Sequence, residues 1–377
     1  MGSITRTFAN NITTSGKFDA TDLTGTLPAS NIADASCTNI TAVPALTAVT
    51  TESSDPPSPD AGQLWYNSTD KQLKSYVLGA GTWASGGNLN TARSVAGGFG
   101  TQTASLATGG YISSNTDIVE QYNGSAWTEI ADLNSATRGQ GGSGTTSAGI
   151  SFFGDNTPSG PNVSAKNELW NGSSWTETTD GNQGRRYFGF AGTSSTAALA
   201  YAGESPTPAE IALTESWNGS SWTEVGDLNT ARGRLGSGGV ETSALAFGGD
   251  TPGSPGGVTN TESWNNSSWT EVADLNTARD NIAGSIGASN TSSLCVGGNQ
   301  SPTPTLTTKT EQWNGTSWTE VNDIGTGTQF YSTGGSGTQT AGLIFGGEDG
   351  SNTAVTQEFT RSNAALVLAT GGQPSAY

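Results

Sequence analysis

The sequence predicts an all-β fold assembled from repeated four-stranded units, and three observations carry that expectation. A short phrase recurs five times: Tyr122-Asn-Gly-Ser-Ala-Trp127, Trp170-Asn-Gly-Ser-Ser-Trp175, Trp217-Asn-Gly-Ser-Ser-Trp222, Trp264-Asn-Asn-Ser-Ser-Trp269 and Trp313-Asn-Gly-Thr-Ser-Trp318. Its second aromatics lie 48, 47, 47 and 49 residues apart, and a fixed period of this size marks a repeat architecture. Glycine is abundant, 54 in 377 residues, about twice the usual share of roughly 7%. Only 12% of residues are charged, so Ser, Thr, Asn and Gly carry the solubility, as fits short strands and tight turns rather than helices.

One unit reads clearly from Gly226 to Val272. It opens with Asp227-Leu-Asn-Thr-Ala-Arg232 and a glycine-rich segment to Gly239. The apolar strand Ala244-Leu-Ala-Phe-Gly-Gly249 follows, then a loop rich in Pro and Gly. Thr261-Glu-Ser-Trp264 and Ser268-Trp-Thr-Glu-Val272 then flank a tight turn. Asn-Gly between runs of aromatic and β-branched residues is a strong hairpin signal, because both residues tolerate positive φ. The apolar strand recurs at Ser105–Gly110, Ile150–Gly154, Leu199–Gly203, Leu294–Gly298 and Leu343–Gly347, making six copies. Glycine is expected at its end, where a Cβ would meet a neighbouring strand. Six such units predict a β-propeller, in which each sheet buries both faces against its neighbours and few edges stay open.

Six blades are expected, with Ala364-Ala-Leu-Val-Leu-Ala369 as the last outer strand. Yet Leu73-Lys-Ser-Tyr-Val-Leu78 and Trp83 also read as an outer hairpin, which could close the ring by supplying the last blade's edge or help make a partial seventh blade. The expected domains are an extended arm with a Pro-rich linker (1–62), a short β-hairpin module that could close the ring (63–87), and the propeller (88–377).

The repeats resemble the Kelch-type propellers, which pair a diglycine at the end of the second strand with a Tyr and a Trp on the next hairpin. The diglycine is intact in units one, four, five and six. Unit three has Ala202-Gly203 and unit two has Gly154-Asp155. Trp mostly replaces the Tyr, and the hairpin turn is shorter than the family's. The resemblance covers about 88–372 and implies architecture; Kelch propellers serve many functions, so it brings no functional residue with it.

The first 62 residues contain only two aromatics, Phe8 and Phe18. Such a segment buries too little apolar area alone to offset its conformational entropy, so it should be ordered by self-association or by docking on a larger body. Asp55-Pro-Pro-Ser-Pro-Asp60 reads as a stiff linker. Thr21-Asp-Leu-Thr-Gly-Thr-Leu-Pro-Ala29 is similar to a phrase repeated in bacteriophage tail-fibre and other virion proteins, echoed at Asn39-Ile-Thr-Ala-Val-Pro-Ala45 and in Ile12-Thr-Thr-Ser-Gly16. Gly62-Gln-Leu-Trp-Tyr-Asn-Ser68 through Trp83 is similar to a short β-module common in such proteins. The order of arm, module and propeller implies a virion protein, assembled in the host cytoplasm.

Composition excludes much chemistry. A net charge of −18, from 14 basic and 32 acidic side chains, argues against binding the phosphates of nucleic acid or an anionic membrane. With no histidine, imidazole bases, ligands and pH switches are absent. Cys37 and Cys295 form no disulfide framework; Cys295 shares its repeat position with Ala246 and Ile344 and reads as a core residue. No signal peptide or stretch of apolar residues long enough to span a membrane is read in the chain. No Ca²⁺ loop or Lys-bearing phosphate loop occurs, and neither cofactor nor metal is expected.

Several repeated residues invite functional readings. Glu215, Glu262 and Glu311 precede the first hairpin aromatic, and Glu224, Glu271 and Glu320 follow the second. Paired carboxylates serve glycoside hydrolysis, but a pair copied in every unit lacks the asymmetry that separates acid from base, so these acids should cap blade edges and turns or pair with Arg. Arg93, Arg232 and Arg279, with Arg138 shifted by one residue and Arg185 or Arg186 in unit three, should hydrogen-bond carbonyls between blades. Unit six lacks this Arg. Asn123, Asn171, Asn218, Asn266 and Asn314 match the glycosylation pattern, which turn chemistry explains. Trp217, Trp222 and their equivalents should pack between blades rather than stack on sugars. Only the loops Thr157–Lys166, Ser205–Leu213, Thr251–Asn260 and Ser301–Lys309 vary freely, all between the second and third strands and so on one face. Variable loops on a rigid scaffold are where recognition concentrates.

The expected function is therefore non-enzymatic, with no catalytic residue assigned and the ligand-binding residues unknown. The chain is expected to be a bacteriophage tail fibre, spike or surface appendage that attaches to a host-surface glycan or protein. Expected partners are other virion proteins through residues 1–62 and further copies of the chain, plausibly as a trimer. The alternatives are a structural joint, collar or capsid decoration without a host ligand, and a polysaccharide depolymerase.

Overall fold

The computed structural model describes residues 49–56, 64–156, 163–207, 209–252, 256–301, 305–325, 334–361 and 363–370. Residues 1–48, which carry the phage-like phrases and Cys37, lie outside the described residues, as does most of the proline-rich linker. Every regular element among the described residues is a β-strand. The chain divides into two compact units, one from 80 to 361 and one formed by 1–79 with 362–377.

The larger unit contains six four-stranded antiparallel sheets among its described residues. Their first strands are Gly97–Thr101, Gly141–Thr145, Gly189–Ser194, Gly236–Val240, Gly287–Ser289 and Gly334–Thr338, here defining sheets 1 to 6. Each first strand lies beside the next, and that of sheet 6 lies beside that of sheet 1. The fold is thus all-β and propeller-like. Glycines dominate these strands because neighbouring sheets converge there: a Cβ on Gly98 would stand 2.5 Å from the Phe345 ring of sheet 6, and one on Gly142 2.4 Å from the Phe99 ring of sheet 1.

Apolar second strands supply the core. Leu199, Leu245 and Leu294 and their neighbours are buried between sheets, against the hairpin aromatics. Within hairpins the two indoles lean together, with Trp264 and Trp269 centroids 5.4 Å apart. Each buried aromatic removes about 150–250 Å² from water, on the order of 4–6 kcal/mol before entropy.

Hydrogen bonds stitch the sheets in rotation. The second residue of the diglycine motif donates its N–H to a carbonyl that precedes the next sheet: Gly110 to Thr137, Gly154 to Arg185, Gly203 to Arg232, Gly249 to Arg279, and Gly347 to Arg93, all at 2.7–2.9 Å. The last of these joins sheet 6 to sheet 1. The motif's first residue has φ near +60° throughout, whether Gly109, Ala202 or Phe153. Phe153, rather than Gly154, therefore holds the first position in sheet 2, one residue earlier than the sequence alignment placed it.

Sheet 6 differs from expectation. Its fourth strand is Thr82–Ser85, paired with Thr356–Thr360. Trp83 leans on Phe359 at 5.1 Å and donates Nε1–H to Thr310 Oγ1 at 3.2 Å. Trp127, Trp269 and Trp318 make the same bond to Thr356, Thr214 and Thr261 in the preceding sheet. Trp83 is thus the second aromatic of the sixth hairpin. The terminal run expected in that role lies in Asn363–Thr370, which pairs with Gln72–Leu78 in the smaller unit. By contacts, the larger unit begins at 80 and residues from 362 belong with the smaller one.

The smaller unit is one sheet ordered Val49–Glu52, Leu64–Asn67, Gln72–Leu78 and Asn363–Thr370, with the first pair parallel. Asp55, the first residue of the expected linker, is its polar hub. Its carboxylate accepts from Trp65 Nε1, Asn67 Nδ2 and Lys74 Nζ at 2.8–3.1 Å. Hydrogen bonds from Asn67 and Lys74 hold it below its ordinary pKa.

Candidate binding face

The repeated ionisable residues are buried inside the larger unit. Arg93, Arg185, Arg232 and Arg279 are 0% exposed. Each pairs with the third-strand Glu of its own sheet: Glu120 at 2.6 Å, Glu215, Glu262 at 2.9 Å and Glu311. The guanidinium also caps loop carbonyls, as when Arg232 donates to Asn260 O at 2.7 Å and Gly248 O at 3.0 Å. The Asn three residues earlier completes the cluster. Asn229 donates both its backbone and side-chain N–H to Glu262 Oε2 at 2.7–2.8 Å. Burial pulls the Arg232 pKa down, and Glu262 pulls against it. The arginines bond carbonyls as expected, but those of their own sheet rather than carbonyls between blades, and the repeated glutamates pair with arginine, one of the roles expected of them. Of the fourth-strand acids, Glu224, Glu271 and Glu320 are exposed, Glu271 accepting from Asn260 at 3.1 Å and Glu320 facing Lys309 at 3.2 Å.

Other repeated features resolve the same way. Asn218 Oδ1 accepts the backbone N–H groups of Ser220 and Ser221 at 3.0 Å, and Asn123, Asn171 and Asn314 repeat this turn. In the fourth hairpin Asn265 takes that role, while Asn266 occupies the glycine position with φ +73°. Trp217, Trp264 and Trp313 are 1% exposed, which leaves no face free for a sugar. Cys295 lies buried on the second strand of sheet 5, and burial pushes its thiol up to about 12.

What does not repeat gathers at one end of the larger unit. The segments preceding the first strands pair there with residues just past the second strands: Arg138 with Asp155, Arg186 with Glu204, Gly233 with Asp250 and Asp280 with Asn299. The variable loops spring from the same residues. Ser205–Leu213 folds back through a Glu204–Glu210 bridge, and Thr305–Leu306 pairs with Asn299–Gln300. In Thr157–Lys166, residues 157–162 lie outside the described residues.

Across this end an ion-pair chain runs along sheets 2 to 4. Arg138 and Arg186 both reach Asp155 Oδ2, at 3.1 and 2.9 Å. Arg186 also holds Glu204 at 3.0 Å, and Arg234 bridges Glu204 to Asp250, the latter at 2.6 Å. Tyr187 lies against the Arg186 and Arg234 guanidinium groups, 5.0 and 5.4 Å from its ring centre. Asp280 closes the arc; burial raises its pKa, with Asp250 adding to the shift and Arg234 opposing it. Arg138 was visible in the sequence as an arginine shifted by one place. The doublet Arg185-Arg186 and the pair Arg232, Arg234 hold the same signal: a repeated inner arginine, then an unrepeated one further along.

Inside the arc a backbone rim borders a cavity. Gly139 donates to Val95 O at 2.9 Å, Tyr187 to Gly139 O at 3.2 Å, and Arg234 to Tyr187 O at 2.8 Å, so the rim passes from sheet to sheet. Val95, Gly139, Tyr187, Arg234 and Asn281 share a φ between +49° and +64°. The cavity they border is about 70 Å³, with Phe188, Phe190, Leu235 and Ile282 among its apolar walls. Among the described residues, no group of three or more Cys, Asp or Glu is placed to hold a metal ion. The chain matches no family model and no curated protein.

Proposed function

We propose that the chain is a bacteriophage virion protein, a tail fibre, spike or surface appendage, whose larger unit is a six-bladed Kelch-like propeller displayed for non-covalent attachment to the host surface. The observation that carries the attachment reading is the segregation of the repeated from the unrepeated. The repeated Arg, Glu, Asn and Trp residues are spent on holding the sheets together. The variable loops and the Arg–Asp–Glu arc share one end, as expected of a recognition face on a rigid scaffold. The virion reading rests on the phrases between Ile12 and Ala45 and on the module that follows them. Many copies on one particle would raise weak single contacts to a useful avidity.

The test is binding of the purified full chain, as isolated and clustered on beads, to host envelopes. Attachment that needs clustering and is lost when Ser205–Leu213 and Thr251–Asn260 are replaced by short Gly-Ser turns supports the proposal. No binding even when clustered favours a structural joint or collar. The depolymerase alternative expects polymer shortening that Asp280→Asn abolishes. Asp280 is its best-placed unrepeated acid, with Asp250 nearby, but both are buried and Asp250 is committed to Arg234, which supports a non-catalytic reading.

A further inference from the structure

We propose that the four Asn-Gly hairpin tips, at Asn123, Asn171, Asn218 and Asn314, are deamidation sites, where the folded turn itself assists conversion of asparagine to aspartate and isoaspartate. The proposal does not depend on the attachment reading.

Nucleophile and electrophile are neighbours in the chain. Deamidation begins when the backbone nitrogen of the following residue attacks the asparagine Cγ, and glycine, which has no Cβ, obstructs that approach least. The chain has four Asn-Gly steps, and all four lie at these tips. Each asparagine is exposed, open to water and hydroxide. The N–H groups of Gly124, Gly172, Gly219 and Gly315 make no hydrogen bond among the described residues, so the attacking nitrogen is not held elsewhere.

The turn activates the electrophile. Asn171 Oδ1 accepts from Ser173 N, Ser173 Oγ and Ser174 N, each at 2.9 Å. Asn123 and Asn218 have the same three donors at 2.9–3.0 Å. Asn314 has the two backbone donors, Thr316 and Ser317, at 2.9 Å. Attack opens the Cγ–Oδ1 double bond and gathers negative charge on Oδ1, where donors already in place lower the barrier. The glycine N–Cγ bond forms as the N–H proton passes to hydroxide. The Cγ–Nδ2 bond then breaks, and the nitrogen leaves as ammonia with a proton from water. Water adds to either carbonyl of the cyclic imide and opens it to aspartate or isoaspartate. Per site, one water enters and one ammonia leaves.

The fourth hairpin is a control within the same chain. Asn265 Oδ1 has the same three donors at 2.8–3.0 Å, but Asn266 follows it, and its Cβ hinders the attack. The new carboxylates arise together. A Cβ on Gly219 would meet Thr196 and one on Gly172 would meet Ser147, both in turns between first and second strands. The tips therefore lie at the end of the larger unit away from the variable loops, which join second and third strands. Full conversion adds four negative charges there, to a chain already at −18.

Peptide mapping by mass spectrometry tests this on the full chain, incubated in mildly alkaline H₂¹⁸O both folded and in urea. The expected result is ¹⁸O uptake at the four Asn-Gly sites of the folded chain, at least as fast as in urea, with Asn265 many-fold slower. Ser173→Ala removes one Oδ1 donor, so it should slow Asn171 several-fold in the folded chain and leave its rate in urea unchanged. Slower conversion in the folded chain than in urea would overturn the proposal, because the turn would then protect the asparagine. Asn265 keeping pace with the Asn-Gly sites, or an unaltered Asn171 rate in folded Ser173→Ala, would overturn it as well.

Discussion

At the residue scale, the buried Arg–Glu pairs show how one sequence position is kept charged without being functional. Removing one partner of such a pair strands a charge in the core, at about 3–5 kcal/mol. Sheet 6 displays the neutral alternative: where the other third strands carry Glu, it carries Gln357, and the segment leading into the sheet, 322–333, contains no arginine. Arg232→Ala should therefore lower the urea-derived stability by about 3–5 kcal/mol, and adding Glu262→Gln should recover much of that loss. Equal stability of the single and double variants would refute the stranded-charge account. Asp280 makes the opposite case. Burial lifts its carboxyl above the ordinary 3.8, so the folded chain holds that proton more tightly than the unfolded one. Its ionisation then removes stability as pH rises from 3.8 through the folded-state value. Asp280→Asn should raise the thermal midpoint at neutral pH, with the gain vanishing at about pH 3, where both states are protonated. An equal gain at both pH values would show that charge is not the cause.

At the element scale, the hairpins were the most legible part of the chain, because the turn's chemistry is local. Asn supplies an acceptor for two backbone N–H groups, and the next residue needs positive φ. Gly219 has φ +93°, and a Cβ there would sit 3.2 Å from Thr196 Cβ. The fourth hairpin tolerates Asn266 at the same place, since Asn enters the left-handed region more readily than Ala. Gly219→Ala should cost about 1 kcal/mol or more and Gly219→Asn less, read from chemical denaturation; the reverse order would mean that steric contact with Thr196, not backbone strain, governs the site. The ion-pair arc was harder to read. Arg138, Arg186 and Arg234 stand beside the repeated positions, and their partners Asp155, Glu204 and Asp250 lie 16–18 residues away on other segments. Only pairing of those segments in space shows that they form one chain of charges. Phe153 was misplaced for a related reason: nothing in a local pattern says that a Phe will adopt the φ usually left to Gly.

At the scale of the whole molecule, the sixth sheet is the one joined from both ends of the chain. Thr82–Ser85 pairs with Thr356–Thr360, so the larger unit cannot close its cycle of sheets until residues some 270 positions apart meet. Two candidates competed for this strand in the sequence. The run within Asn363–Thr370 is more apolar, but it has no counterpart of the second hairpin tryptophan, and Trp83 does. The indole of Trp83 packs on Phe359 and donates to Thr310 Oγ1 and Asn322 O, at 3.2 and 3.1 Å; it therefore ties sheet 6 to sheet 5 as well as completing sheet 6. Trp83→Ala removes a partly buried aromatic, worth about 2–4 kcal/mol. The location of the damage matters more than its size, because closure is the one junction that no short connection reinforces. Hydrogen exchange on the intact chain should show amide protection falling first in Thr356–Thr360 and Thr310–Trp313, with Gly236–Val240 retaining its protection. Trp269→Ala, in a sheet built from consecutive segments, should spread a similar loss more evenly over the larger unit. If Trp83→Ala instead loosened only residues 64–85, the strand would be an accessory to the sixth sheet, and the cycle would have to be closed by something else.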